Sequence, residues 1–119
     1  MDNTRPIVLL TDFGLADLYV GQMKAAILKT HPDASILDLS HGIEPFNLAQ
    51  AGFFLAASWP WFSPGSVFVT VVDPGVGTDR KIIGLAAHDR YFIAPDNGLI
   101  TYLAEVLPIR ATVRLENPT

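Results

Sequence analysis

Three short apolar runs, each followed at once by a polar loop, restrict this chain to one broad class of fold. The runs are Ile7–Leu10, Ser35–Leu39 and Ser66–Val72. They are largely continuous rather than alternating, which is typical of strands buried on both faces of a parallel sheet. A chain that passes from strand to helix to strand builds βαβ units. We therefore predict an α/β fold: a mostly parallel sheet flanked by helices in three layers.

Helical spacing and turn residues predict the other elements of the fold. Asn47 stands where the second helix needs an N-cap, and residues 88–90 are typical of a hairpin turn. The additional predicted elements are a helix over about 18–30, a helix over about 47–58, strands at Ile82–Ala87 and Tyr91–Ala94, a short helix to about Val106 and a strand at Ala111–Leu115.

Composition excludes several classes of protein. Half of the 119 residues are hydrophobic and 17% are charged, which is enough apolar material for a core. The 8 Lys and Arg residues are scattered among 12 Asp and Glu, so no basic surface for nucleic acid is expected. Cysteine is absent, which excludes disulfides and thiolate metal sites. The apolar runs are too short for a bilayer and the N-terminus is unlike a signal peptide, so we expect a cytoplasmic protein with no membrane partner.

Polar loops follow the three strands, and they should meet because ligands bind at the carboxyl ends of parallel strands. Asp12 comes directly after the first strand. Its carboxylate could accept hydrogen bonds from vicinal hydroxyls of a ligand, or it could cap a helix or form a turn. His41, in the second loop, could act as a general base or hydrogen-bond donor, or it could be structural.

The third loop carries an acidic and a basic residue. Asp73 ends the most hydrophobic strand, where burial would require a cationic partner. Arg80, after a loop with two glycines, could supply that partner. Such a pair could hold and polarise a water molecule, or it could only lock the loop.

Four aromatic residues could stack on a purine, although Trp59 and Trp61 favour a place in the core or at a subunit interface. The four are Phe46, Trp59, Trp61 and Phe62. The chain has no phosphate loop, no dinucleotide-binding glycine motif and no histidines at zinc-ligand spacing. Nucleotide hydrolysis through a phosphate loop and metal catalysis are therefore not expected.

Four segments together resemble the S-adenosylmethionine hydroxide adenosyltransferase family, relatives of enzymes that fluorinate or chlorinate the same substrate. In order, the segments are Leu9–Gly14 with Tyr19–Lys24, Asp38–Phe46, Val71–Arg80 and Ala94–Thr101. The resemblance implies a two-domain protein with an N-terminal α/β domain and a C-terminal β-barrel. It also implies a homotrimer whose substrate sites lie between subunits. We expect residues 1–119 to be the N-terminal domain, cut near its end and lacking the barrel.

The resemblance also implies roles for particular residues. Asp73 and Arg80 match two catalytic residues that position the attacking water. The third catalytic residue of the family, a His in a later His-Gly-Arg-Asp block, would lie beyond Thr119. His88 does not replace it, because His88 lies in a hairpin turn outside that motif. The residues expected to bind substrate are Asp12, Phe13, Asp17, Phe46 and Asn97.

The implied reaction is the hydrolysis of S-adenosyl-L-methionine to adenosine and L-methionine, by in-line attack of water or hydroxide on the ribose 5′-carbon. No metal or redox cofactor is expected. A carboxylate at Asp73 repels a halide, which favours water as the nucleophile. Two alternatives are a halogenase-type adenosyl transfer and a non-catalytic adenosine-binding domain. We expect little or no turnover from residues 1–119 alone.

Overall fold

The computed structural model describes residues 5–72, 81–107 and 111–115. These residues form one sheet with three helices, in the order expected from the sequence. The elements are β1 (Ile7–Thr11), α1 (Tyr19–Thr30), β2 (Ile36–Ser40), α2 (Leu48–Ser58), a 3-10 turn (Trp59–Trp61), β3 (Val67–Val71), β4 (Ile82–Ala87), β5 (Arg90–Pro95), α3 (Leu99–Val106) and β6 (Ala111–Leu115).

The sheet has six strands in the order β2-β1-β3-β5-β4-β6. Strands β2, β1, β3 and β5 run parallel, and β4 is antiparallel to both β5 and β6. The β4–β5 hairpin turns at His88 and Asp89, whose φ angles of 54° and 62° fit a two-residue turn with both central residues left-handed. The predicted mostly parallel α/β sheet is confirmed.

The main core lies between the sheet and the layer formed by α2 and α3. Its centre is Phe68, whose ring stacks on Phe92 at a centroid distance of 5.0 Å. Burying a side chain of this size stabilises the fold by about 1.5–3 kcal/mol. Other buried members of this core are Val8, Leu10, Leu55, Leu85, Leu99 and Leu103.

Helix α1 lies on the opposite face of the sheet. Leu9 of β1 points away from the main core and pairs in register with Asp38 of β2, so both side chains share that face. Lys24 of α1 binds Asp38 with an Nζ to Oδ2 distance of 2.8 Å. The three predicted layers are therefore present. Within the described ranges, no helix combines the length and the apolarity that a membrane crossing requires.

Local signals placed most element boundaries within one residue. Asn47 caps α2, as predicted: its side chain accepts a hydrogen bond from the amide of Gln50. Strand β2 also agrees within one residue, but it contains a bulge that was not predicted, where its register against β1 shifts between Leu9 and Leu10. Nothing in the local sequence of β2 indicates this bulge.

Candidate active site

The carboxyl ends of the parallel strands bring the predicted loops to one edge of the sheet. Two backbone hydrogen bonds join the loops after β1 and β2: from the amide of Ile43 to the carbonyl of Thr11 (3.3 Å) and from the amide of Gly14 to the carbonyl of His41 (2.7 Å). Strand β3 runs parallel to β1, so Val72 lies at the same edge. The convergence is confirmed for the loops after β1 and β2, whereas the third loop, residues 73–80, lies outside the described residues.

Asp12 is half-buried at this edge and bonds across the loops. Its Oδ2 accepts a 2.9 Å hydrogen bond from the backbone amide of Phe46. It does not cap α1, which begins at Tyr19 after Leu18. A carboxylate has about four acceptor positions, so a single amide donor leaves capacity for the hydroxyls of a ligand.

Phe46 holds a strained backbone conformation beside Asp12. Its φ of 64° is left-handed, which is rare for a bulky residue and is found mainly where surrounding contacts enforce it. Its carbonyl accepts from the amide of Leu48 at the start of α2, and its amide is held by Asp12. The side chain is 58% exposed, so the ring lies at the surface of the site, where it could contact a ligand.

Phe13 and Asp17 lie on the loop between β1 and α1. The Phe13 ring is half-buried and its centroid is 5.8 Å from that of Tyr19. Asp17 is exposed, and its Oδ1 accepts a 2.6 Å hydrogen bond from the amide of Leu18 next to it. The structure thus places both residues on the site loop, and Asp17 bonds to the start of α1.

Asn97 ties the start of α3 to the end of β3. Its Nδ2 donates to the carbonyl of Val72 at 2.8 Å, and its Oδ1 accepts from the amide of Leu99 at 3.2 Å. Its amide group therefore fixes the residue that precedes Asp73. Asp73 and Arg80 themselves lie outside the described residues, so their pairing stays a prediction.

His41 is more firmly built into the site than its sequence context indicates. It is buried, its Nδ1 lies 2.7 Å from Oγ1 of Thr11, and its Nε2 lies 2.8 Å from Oδ1 of Asp38. Beside it is an open depression of about 500 Å³ at the ends of β1 and β2, which also borders Gly14 and Ser40. The sequence left the role of His41 undecided between catalytic and structural, and it gave no indication that Thr11 and Asp38 would bond to it.

Thr11, His41 and Asp38 form a hydrogen-bonded cluster, and its acidic member, Asp38, has a lowered pKa. Partial burial acts to raise the pKa of Asp38, but hydrogen bonds from Lys24 and His41 and their charges oppose it. The net result is a pKa below the ordinary value of 3.8. Asp38 is therefore a stable anion at neutral pH.

Three of the four aromatic candidates lie away from this edge. Trp59 stacks on His88 of the hairpin turn with a centroid distance of 4.4 Å, and Phe62 packs edge-on against Phe68 at 5.3 Å. Both contacts are near the opposite, amino end of the parallel strands, so these rings cannot stack on a purine held beside Asp12. Trp61 is 87% exposed, which excludes the core for it and leaves the subunit interface as its prediction.

The acidic and histidine side chains of the described ranges do not gather in a set of three that could ligate a metal ion. Among the described polar groups at the sheet edge are the Asp12 carboxylate and the Thr11–His41–Asp38 cluster. The Asp12 carboxylate can bind ligand hydroxyls by hydrogen bonding.

Comparisons with known proteins agree with the fold. The profile described as SAM hydroxide adenosyltransferase N-terminal domain matches residues 7–119. A protein of Methanocaldococcus jannaschii named (R)-S-adenosyl-L-methionine hydrolase is 44% identical over 115 residues, covering 92% of this chain and 43% of that protein. The crystal structure of an uncharacterized conserved protein from Thermotoga maritima superposes with a TM-score of 0.86 at 45% identity, covering 93% of this chain and 43% of that one.

Proteins of the halogenating branch match less closely. A protein of Nocardia brasiliensis named fluorinase is 28% identical over 121 residues, covering 82% of this chain and 40% of that protein. The chain thus spans less than half the length of the relatives it matches. Because the family profile covers nearly all of its residues, the chain belongs to the SAM hydroxide adenosyltransferase family, whose N-terminal domain it matches.

Proposed function

We propose that this chain, joined to the C-terminal domain that the family resemblance implies, hydrolyses S-adenosyl-L-methionine to adenosine and L-methionine. The observation that carries the proposal is the Asp12 carboxylate, held by the amide of Phe46 at the carboxyl edge of the sheet. A fixed anion at this edge suits the vicinal hydroxyls of a ribose. The higher identity to a protein named hydrolase than to one named fluorinase supports water as the nucleophile.

The proposed mechanism depends on aligning the attacking water with the ribose 5′-carbon rather than on acid catalysis. Methionine leaves the sulfonium as a neutral thioether, so no general acid is required. Asp12 binds the ribose hydroxyls and so fixes the direction in which the 5′-carbon faces. Holding the reactants in line removes much of the entropic barrier. Phe13, Asp17, Phe46 and Asn97 line or support the substrate pocket.

Asp73 and Arg80 are proposed to position the attacking water. Asp73 follows Val72 in sequence, and the carbonyl of Val72 accepts a hydrogen bond from Asn97 at this edge of the sheet. Asp73 would accept a hydrogen bond or proton from water, and Arg80 would hold the Asp73 carboxylate. No metal or redox cofactor enters this reaction.

The same carboxylate argues against a halide as nucleophile. Two like charges about 4 Å apart repel by roughly 4 kcal/mol at the effective dielectric of a protein surface. An anion beside Asp73 would therefore bind poorly, whereas a neutral water would gain a hydrogen bond.

We further propose that turnover requires the C-terminal domain and a homotrimer, with this chain supplying the ribose side of each site. The chain alone would then bind adenosine weakly and release little or none from the substrate. A purely adenosine-binding role without catalysis is the alternative outcome.

The test compares two proteins: the chain alone, and a chimera in which the C-terminal part of the Methanocaldococcus jannaschii relative continues it. Adenosine and methionine are quantified by chromatography after incubation with S-adenosyl-L-methionine, with and without chloride or fluoride. We expect adenosine and methionine in equal amounts from the chimera, no 5′-halogenated adenosine, and little product from the chain alone.

The Asp73→Asn variant of the chimera should lose turnover by at least about a hundredfold and still bind adenosine. Asp33→Asn is the matched control, because Asp33 is an exposed carboxylate before β2, at the opposite edge of the sheet. Turnover unchanged by Asp73→Asn would refute the role of Asp73. A 5′-halogenated product would refute hydrolysis, and a chimera that binds adenosine without turnover would favour the non-catalytic alternative.

A further inference from the structure

A continuous chain of hydrogen bonds runs beneath the candidate site from α1 to the loop that carries Asp12. Lys24 Nζ binds Asp38 Oδ2 at 2.8 Å, and Asp38 Oδ1 lies 2.8 Å from His41 Nε2. His41 Nδ1 lies 2.7 Å from Thr11 Oγ1, which also accepts from the amide of Phe13 at 3.2 Å. The chain therefore ends at the residues on both sides of Asp12.

The bulge in β2 is what allows His41 to join this chain. Side chains alternate between the faces of a strand, so residues 38 and 41 of a regular strand point to opposite faces. In β2 the register moves from Leu9 opposite Asp38 to Leu10 opposite Ser40. One extra residue restores the parity, and His41 points to the same face as Asp38 and Thr11. Bulges commonly re-aim a side chain next to a functional site.

The anionic Asp38 can only accept, so the His41 imidazole carries a hydrogen on Nε2 and donates it to Asp38. In the neutral imidazole, Nδ1 then accepts from the Thr11 hydroxyl. The Thr11 oxygen in turn accepts from the amide of Phe13. Every buried polar side-chain atom of the described residues is satisfied, as a network that fixes a single conformation requires.

The cluster contains the residue types of a hydrolytic triad but cannot act as one. Thr11 is 0% exposed, so its hydroxyl is closed to a substrate. The contacts of the cluster indicate that it supports Asp12, which follows Thr11. The Thr11 carbonyl accepts from the amide of Ile43, and the His41 carbonyl accepts from the amide of Gly14. Side chain and main chain together hold the two loops that carry Asp12 and Phe46.

We propose that His41 is a positioning residue that acts through Thr11 to fix the Asp12 carboxylate for binding the ribose hydroxyls. This inference rests on the proposed function, because it assumes that a ribose binds at Asp12. It assigns to the β2 bulge the task of placing His41. Without the Thr11–His41 bond, Asp12 would keep its charge but lose its fixed direction.

The test uses variants of the full chain that change one bond at a time. Thr11→Val keeps the shape of the side chain and removes the hydroxyl, and Thr11→Ser restores the hydroxyl as the matched control. His41→Leu removes both ring nitrogens, and His41→Gln supplies a neutral donor and acceptor in their place. Circular dichroism verifies that each variant is folded.

Two readouts follow Asp12 itself. The first is the chemical shift of the Phe46 amide proton, whose donor group binds Asp12, on a scale from wild type to Asp12→Ala, which removes the acceptor. The second is the ratio of NMR-measured dissociation constants for 2′,3′-dideoxyadenosine and adenosine. A simple loss of folded protein lowers the apparent affinity for both ligands by the same factor, so it leaves this ratio unchanged.

We expect Thr11→Val and His41→Leu to move the Phe46 signal at least halfway toward that of Asp12→Ala and to lower the ratio about threefold to tenfold. Thr11→Ser and His41→Gln should stay within twofold of wild type in the ratio. Thr11→Val and His41→Leu could keep the wild-type signal and ratio while Asp12→Asn lowers the ratio toward one. The positioning role of His41 would then be wrong, and the ribose site at Asp12 would be supported. If wild type itself does not discriminate between the ligands, the ribose site is wrong, and the inference fails with it.

Discussion

The backbone amide of Phe46 donates a 2.9 Å hydrogen bond to Oδ2 of Asp12, a residue 34 positions earlier in the chain. The bond links the loops that follow β1 and β2 and places an exposed aromatic ring beside a carboxylate. A nucleoside needs both kinds of contact, one for its hydroxyls and one for its apolar faces. The first two predictions separate the two contributions.

Asp12→Asn should weaken adenosine binding by about tenfold or more, because a hydrogen bond to a charged group contributes roughly 1.5–3 kcal/mol. The amide oxygen of Asn can still accept from Phe46, so the loops should stay joined. Binding of 2′,3′-dideoxyadenosine should hardly change. Titration of both ligands by NMR measures the difference, with Asp33→Asn as control. An equal loss for both ligands would contradict a role in binding the hydroxyls.

Phe46→Gly should preserve or raise stability while it weakens adenosine binding. A left-handed backbone costs a bulky residue roughly 1–2 kcal/mol more than it costs glycine. The exposed ring contributes little burial to offset that cost. Thermal unfolding and ligand titration should move in opposite directions. Phe53→Ala removes another exposed ring, on α2, and should leave binding unchanged. A large fall in stability on Phe46→Gly would show that the ring is structural.

Asn97→Asp should destabilise the domain by about 1–3 kcal/mol. The carboxylate can still accept from the amide of Leu99, but it cannot donate to the carbonyl of Val72. A carboxylate oxygen would then face the carbonyl oxygen of Val72 and repel it. Asn47→Asp is the matched control, because Asn47 only accepts a hydrogen bond as an N-cap and Asp serves equally well there. Urea unfolding measures both variants. Equal stability of Asn97→Asp and wild type would rule out this bond as a support of β3.

Asp38→Asn should flatten the acid side of the stability profile. The folded pKa of Asp38 lies below its ordinary value of 3.8, so its contribution is present above about pH 3.8 and is lost as the pH falls through the folded pKa. The difference in urea midpoint between wild type and variant should be largest at pH 5 and should shrink toward pH 2. Asp33→Asn should follow wild type throughout. A difference that stays constant with pH would disprove the linkage.

Two glycines inside helices should respond to alanine with opposite signs. A Cβ on Gly52 of α2 would lie 2.5 Å from the ring of Tyr102 on α3, so Gly52→Ala should destabilise by about 1–3 kcal/mol. A Cβ on Gly21 of α1 meets nothing within 4 Å, so Gly21→Ala should stabilise by about 0.5–1 kcal/mol. Thermal unfolding compares the pair. Stabilisation by both would mean that Tyr102 moves aside freely.

Local patterns in the sequence determined the order of elements, the Asn47 cap and the edge at which the loops meet. Each depends on residues close together in the chain: the periodicity of apolar side chains, a capping oxygen three residues before an amide, and a strand that runs directly into a polar loop. The four segments typical of the family likewise identified it, because they are read along the chain in order.

Only the tertiary structure decided which side chains meet. The pairing of β2 with β1 sets the bulge, and the bulge places His41 with Asp38 and Thr11 rather than on the opposite face. Phe46 adopts its left-handed backbone between contacts to Asp12 and the start of α2. These outcomes depend on register between segments about 30 residues apart, and no local propensity encodes that register.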